Sequence, residues 1–208
     1  MTVKIIPEIK QRLAMSLPGK SAQLQMAPSF RSDILSKGNF AQAGVMVLLY
    51  PNPTKLYLAL IKRTEYPGVH GGQISFPGGK IEDGDQNLIE TALRETMEEI
   101  GIQPSSIEIL GQLTPLYIPV SEFEVHPVIG FMHASPIFTI DKNEVQYIIE
   151  VELEYLLSPE TKAIKPYLTE KYQGNVPYFN IDSNEVWGAT AMILNEFLEI
   201  IKDLKLNL

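Results

Sequence analysis

The sequence predicts an α/β (α+β) sandwich, a mixed sheet covered by helices, and three observations carry that expectation. Ala43–Tyr50 (AGVMVLLY) is an unbroken apolar run, the pattern of a strand buried on both faces. Residues 86–100 have helical periodicity and run into Gly101, the usual helix terminator. Residues 185–204 place Val186, Thr190, Ile193, Phe197, Ile200 and Leu204 along one stripe of a closing amphipathic helix. Strands interspersed with helices at the start, middle and end of one chain form a layered domain.

The elements follow in order. Residues 3–17 predict a short helix, with Ile5, Ile9, Leu13 and Leu17 at helical spacing. Pro18-Gly19 and Pro28 then make 18–40 an irregular lead-in, so 1–38 is an N-terminal extension to a domain spanning 39–208. After the first strand, Pro51-Asn52-Pro53 turns the chain into Lys55–Arg63 (KLYLALIKR), a second strand. A Gly- and Pro-containing loop over 64–72 leads to a short strand at Gln73–Phe76, which Pro77-Gly78-Gly79 breaks. Further strands are expected at Ile107–Tyr117, His126–Met132, Val145–Tyr155 and Tyr178–Ile181.

Composition narrows the function. The 208 residues carry 17 Lys and Arg against 25 Asp and Glu, a formal net charge of −8. That balance argues against a broad basic surface for a nucleic-acid polymer, while a small phosphate-bearing ligand at one local site stays compatible. Cysteine is absent, which excludes disulfides, thiolate metal sites and cysteine nucleophiles. No apolar stretch reaches the roughly 20 residues that span a bilayer. With no secretory h-region and no retention tail in the sequence, a cytoplasmic protein without membrane attachment is expected.

The informative segment runs from Gly78 to Ile102. At about 100° per residue, with Glu95 at zero, Glu98 and Glu99 fall at about −60° and +40°. Three carboxylates therefore share one helix face, and Ile89, Leu93, Thr96 and Ile100 cluster on another that would pack on a sheet. Like charges at such spacing repel unless something neutralises them. Oxygen ligands on a rigid element suit a hard divalent cation such as Mg²⁺ or Mn²⁺. Glu90, four residues before Arg94, is placed for a helix ion pair that would leave Arg94 to orient the carboxylates. Asp85 reads as a helix cap or as a partner of Arg94. Gly78-Gly79 lets backbone approach a ligand closely.

The string Gly79, Asp85, Arg94-Glu95-Thr96-Met97-Glu98-Glu99-Ile100-Gly101-Ile102 resembles the signature box of the Nudix hydrolases. The box is one residue longer than the general pattern, has Asp85 for its first Glu, and has Thr96 at an apolar position. A subgroup similar to coenzyme A pyrophosphatases shares the longer, Asp-containing box. Its second, upstream signature is matched here by Arg63, Gly72 and Phe76-Pro77-Gly78-Gly79, with Gly68 standing where the subgroup has a second Arg. That loss removes a cationic contact to phosphate and bears on substrate choice.

The resemblance implies a Nudix-type α/β/α sandwich with a mixed sheet and the box as loop-helix-loop. It implies metal-dependent hydrolysis of a nucleoside diphosphate linked to another moiety, with coenzyme A or its acyl derivatives as the favoured substrate. Hydrolysis of ADP-ribose or NADH-like dinucleotides is the alternative. A catalytically silent nucleotide-binding regulator of the same fold is a further one, against which stand the three intact box glutamates. The implied metal ligands are Glu95, Glu98, Glu99 and the Gly79 carbonyl. Catalysis falls to Glu98, Glu99, Arg94 and Glu144, a later-loop candidate for the base. Substrate contacts fall to Arg63, Lys62, His70 and Gly78. His126 and His133 read as structural, and Trp187 as a core anchor of the last helix. A homodimer is left open.

Overall fold

The computed structural model describes residues 5–31, 40–65, 71–170 and 172–204. Two apolar clusters lie on opposite faces of one strand, β1 (Ala41–Asn52). Val47 and Leu49 point into one cluster, and Met46, Leu48 and Tyr50 into the other. Side chains alternate along a strand, so an unbroken apolar run needs cover on both sides.

β1 centres an eight-stranded mixed sheet. It pairs antiparallel with β2 (Lys55–Arg63) and parallel with β7 (Phe123–Phe131). β3 (Ile74–Ser75) and β8 (Val145–Glu152) extend it beyond β2, and β5 (Glu108–Gln112) and β6 (Leu116–Ile118) pair with β7. β4 (Gly78–Lys80) pairs antiparallel with β1. Where the sequence reads Pro77-Gly78-Gly79 as a break, the chain thus makes a strand. Gly78 has a φ of 154°, and a Cβ there would stand 2.4 Å from the Gly44 carbonyl oxygen. Only glycine allows this close pairing.

One cluster packs under α1 (Ile5–Leu13) and α5 (Gly188–Asp203), and the other under α3 (Leu88–Ile100). Ile5, Ile9 and Leu13 are buried as their spacing predicts. The chain beyond α1 is not irregular throughout, since α2 (Gly19–Leu24) packs on α5. Buried Glu196 of α5 fixes it, accepting from Gly19 N–H at 3.1 Å and Gln23 Nε2 at 2.8 Å.

A second sheet of β9 (Lys162–Leu168), β10 (Gln173–Ile181) and β11 (Asn184–Trp187) follows the short helix α4 (Leu153–Leu157). β9 and β11 were not expected. Val186 lies four residues before Thr190 and so extends the helical stripe backward into a strand. Pro166 and the exposed Ile164 and Leu168 blunt the strand pattern of β9. Ile107–Tyr117 is two strands, interrupted at 113–115. Among the described residues no helix is long and apolar enough to cross a membrane.

Candidate active site

Helix α3 starts on Asn87, whose side chain accepts from Ile89 N–H at 3.0 Å and Glu90 N–H at 3.1 Å. It ends on Gly101, left-handed at φ 75°. Glu90 turns back to the Gln86 N–H at 2.9 Å, so the expected Glu90–Arg94 pair is not made. Arg94 instead pairs with Asp85 through Nε and Nη2, at 3.1 and 3.0 Å, in a two-pronged contact. Its Nη1 lies 2.9 Å from both Glu95 Oε1 and Glu98 Oε2, and Nη2 reaches the Lys80 carbonyl at 3.1 Å. Asp85 is a partner of Arg94 and the cap is Asn87. The Arg94 contact holds the Asp85 carboxyl down at about 2.

Glu99 lies on the side of α3 that the sheet covers. It is 1% exposed, on the same side of α3 as fully buried Ala92 and Thr96. Its Oε2 accepts from Gly78 N–H at 2.8 Å. Oε1 lies 2.9 Å from Arg63 Nη2 but is buried with no hydrogen-bond partner among the described residues. Burial pushes the Glu99 carboxyl up to about 7. Arg63 and Gly78 N–H pull it down, and the charges of Glu95 and Glu144 push it up. Burial also raises Glu95, against the pull of Arg94.

Glu144 belongs to this electrostatic group although it is exposed. Its loop is tied to α3 by Asp141 N–H on the Glu99 carbonyl, at 3.1 Å, and to β2 by Thr64 N–H on the Glu144 carbonyl, at 2.9 Å. Gly79 faces the helix so closely that a Cβ would stand 2.3 Å from Glu95 Oε1. Arg63 joins these parts, also donating to the Gly78 carbonyl at 2.7 Å.

Among the described residues no group of three His, Asp or Glu side chains is arranged to hold a metal ion. The carboxylates are engaged by arginines, Glu95 and Glu98 bridged by one Arg94 nitrogen and Glu99 paired with Arg63. Their chemistry nonetheless suits a hard divalent cation. The donors are oxygens, one buried carboxylate oxygen lacks a hydrogen bond, and Glu95 lies against the Gly79 backbone.

A cleft of about 610 Å³ borders this site. Arg63, Gly78, Gly79 and Lys80 line it, and Glu95, Glu98 and Glu99 are not in its lining. Lys62 is not in its lining, and His70 lies outside the described residues. The sequence missed its far wall of Phe30, Tyr167, Tyr172 and Trp187. Trp187 is half-buried against this cleft and is no core anchor. These rings come from distant segments, and the aromatic-rich stretch after 167 is the one local sign of them. His126 and His133 contact Glu124 and Glu108 at 3.2 Å.

A family model described as NUDIX domain matches residues 41–171. An uncharacterized Nudix hydrolase, NudL, from Pectobacterium atrosepticum is 35% identical over 186 residues, covering 87% of this chain and 91% of that protein. Among solved structures, a MutT/nudix family protein from Enterococcus faecalis matches with a TM-score of 0.52 at 15% identity, covering 95% of this chain and 74% of that one. A MutT protein from Methanosarcina mazei Go1 matches with a TM-score of 0.51 at 18% identity, covering 80% and 96%. Fold and family together define a hydrolase. The chain belongs to the Nudix hydrolase family, whose members generally use divalent metals such as Mg²⁺ or Mn²⁺.

Proposed function

We propose that the chain hydrolyses the diphosphate of coenzyme A or its acyl derivatives, with Mg²⁺ or Mn²⁺, in the cytoplasm. The observation that carries this reading is the Arg63–Gly78–Glu99 junction, where both signature segments meet at the rim of a large cleft. Glu95, Glu98, Glu99 and the Gly79 carbonyl would hold the metal. The metal would neutralise the phosphates and activate water for attack on phosphorus. Arg94 spaces Glu95 and Glu98, and Asp85 holds Arg94. Arg63 orients Glu99 and faces the cleft, where its guanidinium can bind a phosphate oxygen. Lys62 and His70 remain proposed substrate contacts. Glu144, whose charge acts on both Glu95 and Glu99, would take the proton of the attacking water.

The second reading, hydrolysis of ADP-ribose or NADH, is favoured by Gly68 in place of the subgroup's second Arg. One assay separates the two. Purified protein is incubated with coenzyme A, ADP-ribose and NADH, with Mg²⁺ or Mn²⁺ and with chelator, and the products are identified. Phosphopantetheine and an adenosine bisphosphate, released only with metal, are expected from coenzyme A. Cleavage of ADP-ribose alone moves the assignment to the second reading, and no metal-dependent cleavage of any of them overturns both.

A further inference from the structure

Among the described residues, the charged side chains that line the cleft are Arg31, Arg63 and Lys80, all cations, with no Asp or Glu beside them. In a chain of net charge −8 this lining runs against the average surface, and it suits an anionic ligand. Arg63 and Lys80 belong to the glycine rim, where Arg63 Nη2 meets the Gly78 carbonyl. Arg31 comes from a segment that precedes the matched family domain, and its guanidinium donates to the Tyr117 carbonyl. That segment is pinned at several points. Asn195 Nδ2 donates to the Ala22 carbonyl at 2.7 Å, Ser29 N–H to the Asn175 carbonyl at 2.9 Å, and Arg31 N–H to the Pro28 carbonyl at 2.9 Å. Phe30 is stacked between two rings, with centroids 5.4 Å from Tyr167 and 5.1 Å from Tyr172.

The two arginines are held too far apart to serve one diphosphate. Val45 pairs with Gly78 on one edge of β1 and with Pro127 on the other, and Val125 of β7 pairs with Leu116 of β6. Strands β4, β1, β7 and β6 therefore lie side by side, and the Gly78 and Tyr117 carbonyls are three strand spacings apart, about 14 Å. After roughly 3 Å for each charge-assisted hydrogen bond, about 8 Å remains between the anionic groups that the two guanidinium groups would hold. A sugar that carries two phosphates bridges such a gap, whereas the phosphates of one diphosphate share an oxygen. A guanidinium fixed in advance loses little freedom when it takes a phosphate.

We propose that Arg31 is a substrate-binding residue for a second anionic group, a phosphomonoester on the ribose of the nucleoside, while the diphosphate lies at Arg63 and the glycine rim. The proposal rests on the diphosphate-hydrolase reading above and narrows its substrates to those with a further phosphate. Coenzyme A and NADPH carry one, and ADP-ribose and NADH do not. Arg31 also returns a cation to a cleft whose upstream signature has Gly68 in place of a second Arg.

Isothermal titration calorimetry in chelator reads this site without turnover. The probes are adenosine 5′-monophosphate, adenosine 3′,5′-bisphosphate and adenosine 2′,5′-bisphosphate. One bisphosphate should bind about tenfold more tightly than the monophosphate, and Arg31→Met should erase that preference with the fold intact by circular dichroism. Arg31→Lys, which keeps the charge without the fork, should retain a part of the preference that salt removes. In turnover with Mg²⁺, KM for coenzyme A should lie about tenfold below that for 3′-dephospho-coenzyme A, and Arg31→Met should level the two. Equal binding of all three probes by the wild type, or an Arg31→Met protein that keeps the preference, overturns the proposal even if diphosphates are cleaved. An Arg31-dependent preference without cleavage of any diphosphate supports the site and overturns the substrate reading instead. A KM contrast found between NADPH and NADH alone supports Arg31 and moves the substrate to the second reading.

Discussion

Arg63 Nη2 stands 2.9 Å from Glu99 Oε1, and the same nitrogen donates to the Gly78 carbonyl at 2.7 Å. Gly78 N–H closes the ring on Glu99 Oε2 at 2.8 Å. Strand β2, strand β4 and helix α3 are thus locked at one point, around a carboxylate that solvent does not reach. The ring holds Glu99 against its own desolvation, and a stability–function conflict follows from it.

Burial sets the ionisation of Glu99 in the metal-free protein. An ordinary glutamate pKa of 4.5 is pushed up to about 7 by burial, despite Arg63 and Gly78 N–H. The folded state then binds a proton that the unfolded state releases, so this contribution to stability is fully present below pH 4.5. It is lost as pH rises through about 7. Thermal melts in chelator across this range should show that decline, and Glu99→Gln should flatten it. The same variant should lower kcat by about a hundredfold or more while stability at neutral pH holds or rises. Full activity in Glu99→Gln would remove Glu99 from the site.

The Arg63–Glu99 pair should be strongly coupled. Arg63→Met leaves a buried carboxylate without its cation, at a cost of about 3 kcal/mol near neutral pH. Combining it with Glu99→Gln removes the charge that needed compensation, so most of the loss should return. A double-mutant cycle by denaturant unfolding measures this, and additive losses would show that the pair does not interact.

Asp85 and Arg94 make a second, outer clamp with the opposite pH sign. Arg94 holds the Asp85 carboxyl at about 2, below its ordinary 3.8. This contribution to stability is present above pH 3.8 and is lost as pH falls through about 2. Asp85→Asn should therefore remove part of the acid sensitivity seen by circular dichroism. Arg94→Lys keeps the charge but loses the fork that spaces Glu95 from Glu98. Its activity should fall about tenfold to a hundredfold and should not recover at high pH.

How far the sequence reaches is clear from particular elements. β2 runs from Lys55 to Arg63 as predicted, and α3 stops at Gly101, because local periodicity and a left-handed cap carry the information. The burial of Glu99 was not legible. Helical geometry puts Ala92 at about +60° on the same wheel, close to Glu99 at about +40°, but only the position of β1 and β4 decides that this side is covered. The cleft wall was still less accessible. Phe30, Tyr167 and Trp187 are gathered by long-range docking of the N-terminal segment on β10, and no short pattern encodes that.

The adjacent glycines at the rim should separate function from folding. A Cβ on Gly79 would stand 2.3 Å from Glu95 Oε1, the end of a side chain that can swing aside. Gly79→Ala should therefore cost little stability, yet it displaces a proposed metal ligand, so metal should be required at about tenfold higher concentration or more. A Cβ on Gly78 would meet the Gly44 carbonyl oxygen at 2.4 Å and Val45 Cα at 2.6 Å, at a φ of 154°. Backbone cannot swing aside, and that conformation is closed to alanine. Gly78→Ala should unpair β4 from β1 and lower the melting temperature by roughly 10 °C or more. Thermal melts and Mg²⁺ titrations of activity on both variants test the contrast. A Gly79→Ala protein with wild-type metal dependence would mean that the position of Glu95 does not matter to the reaction.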